Sequence, residues 1–369
     1  MPSALAAGNE PPAPTRDTAV PTLRSFPERL LVEPVSVIDP IEWGSAYHGG
    51  RLRQIVADRR GRIYLATADP CQLLRFDPVK GTILELPATA DDACEGPWLS
   101  LVPTREGVVL ADGGLGRVRH VSDKRTALAG ADVPRVFDVS PVRGGGIAVY
   151  PGSTGRLLDL FDAGFHYLRS VGPLPQGGGG IGPSTCHLLP DRDSGVIALW
   201  NPTRTVLRLD AQGEIVARFT LDPPDLVANL AARLARLEER ARDLGMQASI
   251  NPFLDLLHDR DGNLAALYLF EEEPGGAPQE AAPPAATRAA LYRFTPDGHP
   301  VDAIHGIDGC LDVAFLSRDE ILGLDADGRR LVRFRLRPSG DAAAGATQRT
   351  ENPGEPGQTL SHHSRKEGR

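Results

Sequence analysis

Six times along this chain a glycine or an acidic turn residue opens a short apolar run, and no other feature constrains the fold as tightly. The copies are Gly61-Arg-Ile-Tyr-Leu-Ala, Gly107-Val-Val-Leu-Ala-Asp, Gly146-Ile-Ala-Val-Tyr, Gly195-Val-Ile-Ala-Leu-Trp, Gly262-Asn-Leu-Ala-Ala-Leu-Tyr and Glu320-Ile-Leu-Gly-Leu-Asp. Each is too short for a helix and carries β-branched or aromatic residues, so each reads as a strand. Most are followed by a second strand with an arginine between apolar neighbours: Leu73-Leu-Arg-Phe-Asp, Val206-Leu-Arg-Leu-Asp, Leu291-Tyr-Arg-Phe-Thr and Leu331-Val-Arg-Phe-Arg. Period-2 alternation places that arginine opposite its neighbours, and the expectation is a solvated side chain on a half-exposed strand. Turn sequences such as Asp77-Pro-Val-Lys-Gly81, Asp210-Ala-Gln-Gly213 and Thr295-Pro-Asp-Gly298 then close the hairpins.

The first three spacings are 46 (61 to 107), 39 (107 to 146) and 49 (146 to 195) residues. Several strands per period of roughly 40–50 residues indicate a β-propeller. The fold expected is all-β, a six-bladed propeller over 29–338, with 1–28 and 339–369 as disordered ends. Two insertions lengthen the later gaps: a helix over 224–246 and a low-complexity loop over 271–287. The last blade lacks a fourth strand, which the run Leu30-Leu-Val-Glu-Pro-Val-Ser-Val-Ile38 can supply; Pro34 fits an outermost strand, where a lost N–H is tolerated. That closure removes an open edge.

In the helix, Leu226, Leu230, Leu234, Leu237, Ala241 and Leu244 recur at spacings of three and four. The stripe can lie across the propeller's own face, or dock a protein partner or a second copy through 224–245.

Formal charge is −8 and pI about 5.6, which argues against nucleic acid, whose binders carry a basic footprint. No apolar run approaches the 18 or so residues of a membrane span. Residues 1–10 lack a basic leader segment, so a cytoplasmic protein is expected, or an exported one if the true start lies upstream. The four cysteines, 71, 94, 186 and 310, show no metal or redox spacing; Cys71 and Cys94 fall in loops of one face, where a disulfide can form.

In a propeller the loops joining second to third strands share a face with the links between blades. That face receives the helix and most of the unusual side chains: Trp43, Tyr47, His48, Trp98, His187, Trp200, Asn201, His305 and Asp308. These are the candidate binding residues, since recognition groups sit on loops held by a rigid scaffold; the alternative for each Trp is to plug the gap between blades. Gly177–Gly180 lacks the Lys and the following helix of a phosphate loop.

Asp58-Arg-Arg-Gly-Arg-Ile-Tyr-Leu-Ala-Thr with Leu73-Leu-Arg-Phe-Asp-Pro resembles the repeat of NHL-type six-bladed propellers over roughly residues 30–337. Glu95-Gly-Pro-Trp98 is similar to the Glu-Gly-Pro motif of the gluconolactonase-like branch. That likeness implies a metal ligand at Glu95, although the branch's Pro-Asn-Gly triplet does not occur here. Two functions follow. One is a non-catalytic module without a cofactor that binds a protein or small ligand on the helix-bearing face. The other is a metal-dependent hydrolase or lactonase, with a divalent cation such as Ca or Zn held by Glu95.

Overall fold

The computed structural model describes residues 20–68, 70–86, 99–122, 127–152, 155–175, 185–193, 195–243, 250–270 and 288–339. Cys94, Glu95, Trp98, the Gly177–Gly180 run and the 271–287 insertion lie outside them.

In chain order the strands are β1 (Thr22–Leu23), β2 (Arg29–Ile38), β3 (Arg51–Ala57), β4 (Ile63–Ala68), β5 (Gln72–Asp77), β6 (Thr82–Leu86), β7 (Leu99–Pro103), β8 (Gly107–Asp112), β9 (Arg117–Ser122), β10 (Ala127–Asp132), β11 (Asp138–Pro141), β12 (Ile147–Tyr150), β13 (Arg156–Phe161) and β14 (Tyr167–Pro173). They continue as β15 (Cys186–Pro190), β16 (Val196–Trp200), β17 (Thr205–Leu209), β18 (Ile215–Leu221), the helix α1 (Pro224–Asp243), β19 (Phe253–His258), β20 (Leu264–Phe270), β21 (Arg288–Phe294), β22 (Pro300–His305), β23 (Cys310–Phe315), β24 (Glu320–Asp325) and β25 (Leu331–Pro338). The protein is an all-β propeller. Strands β3–β6, β7–β10 and β11–β14 are three antiparallel meanders, and β15–β18 is a fourth with β1 added at its outer edge. The remaining strands make one eight-stranded sheet, β19-β20-β21-β22-β2-β25-β24-β23.

The recurring apolar runs are β4, β8, β12, β16, β20 and β24, each lying between two antiparallel neighbours and buried nearly throughout. A short-range clash explains the glycine that opens several of them. A Cβ on Gly107, Gly146 or Gly195 would lie 1.9, 2.3 or 1.8 Å from a carbonyl oxygen of the third strand, a close backbone approach that only glycine allows.

Two of the four third-strand arginines depart from expectation, while Arg75 and Arg333 are half-exposed as expected. Arg293 is 9% exposed, and its Nε donates to Asp302 Oδ1 at 2.6 Å. Arg208 Nε donates to Asp191 Oδ2 at 2.6 Å. The reason lies in the turn chemistry. Asp191 and Asp259 end the first strands, cap their own turns and present a second oxygen to the arginine of the same meander. A guanidinium with two or more carboxylate partners can remain buried.

The leading segment zips onto the last strand as expected, β2 pairing antiparallel with β25 from Leu30↔Pro338 to Ile38↔Leu331. Its outer edge is free only in part, because Arg29–Leu31 also pairs in parallel with Ala303–His305 of β22; Pro34 lies beyond that patch. Residues 22–23 correct the picture of an arm without a role: Thr22 and Leu23 pair with Thr220 and Leu221, and Leu23 is buried. A two-residue strand is too short for periodicity to reveal.

Candidate functional site: an axial polar ring and its cavity

Strands β3, β7, β11, β15, β19 and β23, the first four of which open the four meanders and the last two of which are the edges of the eight-stranded sheet, touch one another in a closed cycle. At the same position in each stands one polar residue followed by an aliphatic one: Gln54-Ile, Ser100-Leu, Asp138-Val, His187-Leu, Asp255-Leu and Asp312-Val. Each polar side chain reaches to the next strand. Gln54 Oε1 accepts from the Leu101 N–H (2.6 Å), and Ser100 Oγ donates to Asp138 Oδ1 (2.5 Å). Asp138 Oδ2 accepts from the Leu188 N–H (2.8 Å), and His187 Nε2 lies 3.2 Å from the Phe253 carbonyl oxygen. Asp255 and Asp312 hydrogen-bond each other, and Asp312 Oδ2 accepts from the Ile55 N–H (2.8 Å), which closes the loop.

Burial governs the protonation of this ring, because removing a carboxylate from water disfavours its charge. It pushes Asp138 up to about 7, against the opposing bonds from Ser100 and the N–H groups of Leu188 and Val139. Asp255 is raised well above the carboxylate range by burial and then by the neighbouring Asp312, and burial raises Asp312 as well. His187 moves the other way, down to about 4, for the same reason.

Above this ring, on the side where first strands turn into second strands, opens a cavity of about 900 Å³. Gln54, Ser100, Asp138 and Asp255 face it from the ring. Its walls are apolar, with Val102, Val109, Val142, Leu189, Leu257 and Phe315. Two half-buried histidines line it higher up: His120, whose Nε2 is 2.9 Å from Thr104 Oγ1, and His258, whose Nε2 is 2.8 Å from the Pro190 carbonyl oxygen. Burial lowers both below the ordinary imidazole range, and the charge of Arg59 lowers His258 further. Arginines 59, 60, 105 and 143 stand at the mouth.

Most of the described candidate residues of the opposite face are spent on packing. Trp43 stacks on Phe76 (5.5 Å between centroids) and meets Tyr47 edge-on, while the Tyr47 hydroxyl donates to the Gly50 carbonyl. Trp200 is 3% exposed and meets Tyr150 edge-on. Asn201, fully buried, bonds both ways with the Phe253 backbone: its Nδ2 donates to the carbonyl (2.8 Å) and its Oδ1 accepts from the N–H (3.0 Å). His187 and Asn201 are brought together at 3.1 Å. His305 sits edge-on to Tyr292 at 6.4 Å, and Asp308 accepts from the Ala289 N–H at 3.3 Å. His48 is exposed, its backbone N–H bonded to Gln72. The first turns of α1 dock on this face too, burying Leu226 and Leu230 beside Phe253 and Tyr268, while Leu234 and Leu237 are about one-third exposed (37% and 36%).

Of the nine candidates only His187 belongs to the ring. Of the other five, two had a legible signal: like His187 in His187-Leu-Leu-Pro-Asp191, Gln54 and Asp255 stand four residues before the aspartate of a turn, in Gln54-Ile-Val-Ala-Asp58 and Asp255-Leu-Leu-His-Asp259. Asp138 and Asp312 accept from backbone N–H groups on both oxygens. Among the described residues no three His, Cys, Asp or Glu side chains converge as a metal site. Cys71 is disulfide-bonded, and Cys186 and Cys310 are free and buried. No described helix is long and apolar enough to cross a membrane.

No family model and no curated protein sequence matches this chain. Solved structures do. A DUF4221 family member from Bacteroides vulgatus superposes with TM-score 0.50 at 10% identity, covering 85% of this chain and 98% of that one. A catalytically inactive virginiamycin B lyase from Staphylococcus aureus, solved with quinupristin, gives TM-score 0.50 at 10% identity over 83% and 99%. A streptogramin B lyase gives 0.47 at 12% identity over 84% and 98%. At these identities the likeness is one of fold, that of a β-propeller.

Proposed function

We propose that this chain is a six-bladed propeller that binds a small molecule in its axial cavity without transforming it. Six blades follow from reading the eight-stranded sheet as two meanders, β19–β22 and β23–β25 with β2, bridged where β2 touches β22. The single observation that carries the binding reading is the cavity itself: about 900 Å³, walled by aliphatic side chains, with a few polar groups at one end. That is the usual form of a small-molecule site. The ring beneath it argues for binding over catalysis. Its carboxyls are occupied with neighbouring strands, so none is left poised over the cavity as a base. The hydrolase reading rests on Glu95 alone and finds no supporting donor cluster among the described residues.

The test uses N-phenyl-1-naphthylamine, a neutral aromatic fluorophore. Saturable binding with one site per chain is expected, together with at least tenfold weaker binding by Val142→Trp, whose indole would occupy the cavity. Binding that Val142→Trp leaves unchanged would overturn the reading. For the helix, the assignment is intramolecular docking, and sizing chromatography of a chain lacking 224–243 checks it. A dimeric parent that becomes monomeric on deletion would establish the dimer reading instead.

A further inference from the structure

We infer that the cavity's ligand is an amphiphilic organic anion, an apolar body carrying one carboxylate, sulfate or phosphate group; this rests on the cavity being the binding site. The observation is an asymmetry of charge at the mouth. Arg59 and Arg60 come from the turn after β3, Arg105 from the turn after β7, and Arg143 from the turn after β11. All four are exposed, and among the described residues none has an ion-pair partner. A fifth arginine, Arg62, is held by Asp58 at 2.5 Å, and the nearby Asp191 is held by Arg208. Among the described residues, Glu106 is the one rim carboxylate outside an ion pair there. Four cations against one anion therefore crown an apolar cleft, in a chain whose formal charge is −8.

Such an arrangement attracts negative charge, since apolar walls focus the field of a charged rim. Guanidinium groups also match carboxylate, sulfate and phosphate oxygens in pairs. The arginines occupy the sector built by β3, β7 and β11, whereas β15, β19 and β23 contribute Leu189, Leu257 and Phe315. The anion is thus held over the first three meanders and the apolar body leans toward the last three.

Two probes with one skeleton separate this inference from the reading beneath it. N-phenyl-1-naphthylamine is neutral, and 8-anilino-1-naphthalenesulfonate adds a sulfonate to the same rings. Wild-type protein is expected to bind the sulfonate about tenfold more tightly, as exposed charge pairs of modest individual worth sum to roughly that ratio. The advantage should shrink as salt is raised. Replacing Arg59, Arg60, Arg105 and Arg143 together by Gln should abolish it and leave the neutral probe's Kd within about twofold, while Val142→Trp should weaken both. Equal wild-type affinity for the two probes, or a preference that survives the fourfold replacement, overturns the anion assignment and leaves cavity binding standing. Failure of the neutral probe to bind the cavity overturns both.

Discussion

The two faces of this propeller spend their side chains in opposite ways. On the face that carries the blade links and α1, the rare residues are absorbed by packing: Trp43 lies on Phe76, Trp200 against Tyr150, and Asn201 closes on the backbone of Phe253. On the face of short turns, ordinary residues make a feature shaped for a ligand, a cleft of Val, Leu and Phe rimmed by arginine. Unusual residue types therefore mark where the scaffold needs help, because long links between blades leave gaps and unpaired backbone groups. The cavity arises from topology, at the ends of six strands that converge around one axis.

The largest effect that sharpens this contrast is expected at Asn201. Asn201→Ala orphans the N–H of Phe253 in the interior and leaves its carbonyl to His187 alone, at a cost of about 3 kcal/mol, read as a shift in urea midpoint. The affinity of N-phenyl-1-naphthylamine should be unaffected. A loss of probe binding with stability unchanged would reverse the roles assigned to the two faces.

Next comes Asp138, at the junction of ring and cavity. In Asp138→Asn an amide NH₂ must face either the Leu188 N–H or the Val139 N–H and Ser100, so a loss of about 2 kcal/mol is expected in acid. The pH dependence has a definite sign. The folded-state value is raised to about 7 from the ordinary 3.8, so the native state holds the proton longer than the unfolded chain. The wild-type stability from this group is full below about pH 4 and is lost as pH rises toward about 7, by up to ~1.4 kcal/mol per unit. His187 acts in the opposite direction, since its lowered value costs stability as pH falls below the ordinary imidazole range. The informative quantity is accordingly the difference between wild type and Asp138→Asn. That gap should narrow and then reverse as pH rises from about 4 to about 7 in paired denaturation series, and a constant gap would show that the carboxyl is not neutral in the ring.

The smallest effect on stability belongs to the rim. Arg59→Gln should move the unfolding free energy by no more than about 0.5 kcal/mol while weakening the sulfonate probe, a combination that no helix-face substitution should reproduce.

Much of the fold was legible in the sequence because its signals are local. Gly107, Gly146 and Gly195 are required by a neighbouring carbonyl, Asp58 and Asp259 cap their own turns, and Leu30–Ile38 had no other strand to join. The candidate site was not legible in the same way. A search for rare side chains finds Trp200 and Asn201, whose packing partners Tyr150 and Phe253 lie about fifty residues away in the chain. The ring members Gln54, Ser100, Asp138, Asp255 and Asp312 look like ordinary polar residues at strand positions. Only the closure of the strands around an axis turns them into a cluster. The arginines of β17 and β21 failed for a related reason: alternation gives the side of the strand, but not that Asp191 and Asp259, from turns 17 and 34 residues back in the chain, wait there.

The most direct test is a crystal structure of the protein soaked with N-phenyl-1-naphthylamine. Density for the two ring systems between Val102, Val142, Leu189 and Phe315 is the expected result. Density instead beneath α1, or around Trp43 and His48 with the cavity empty, would contradict the account.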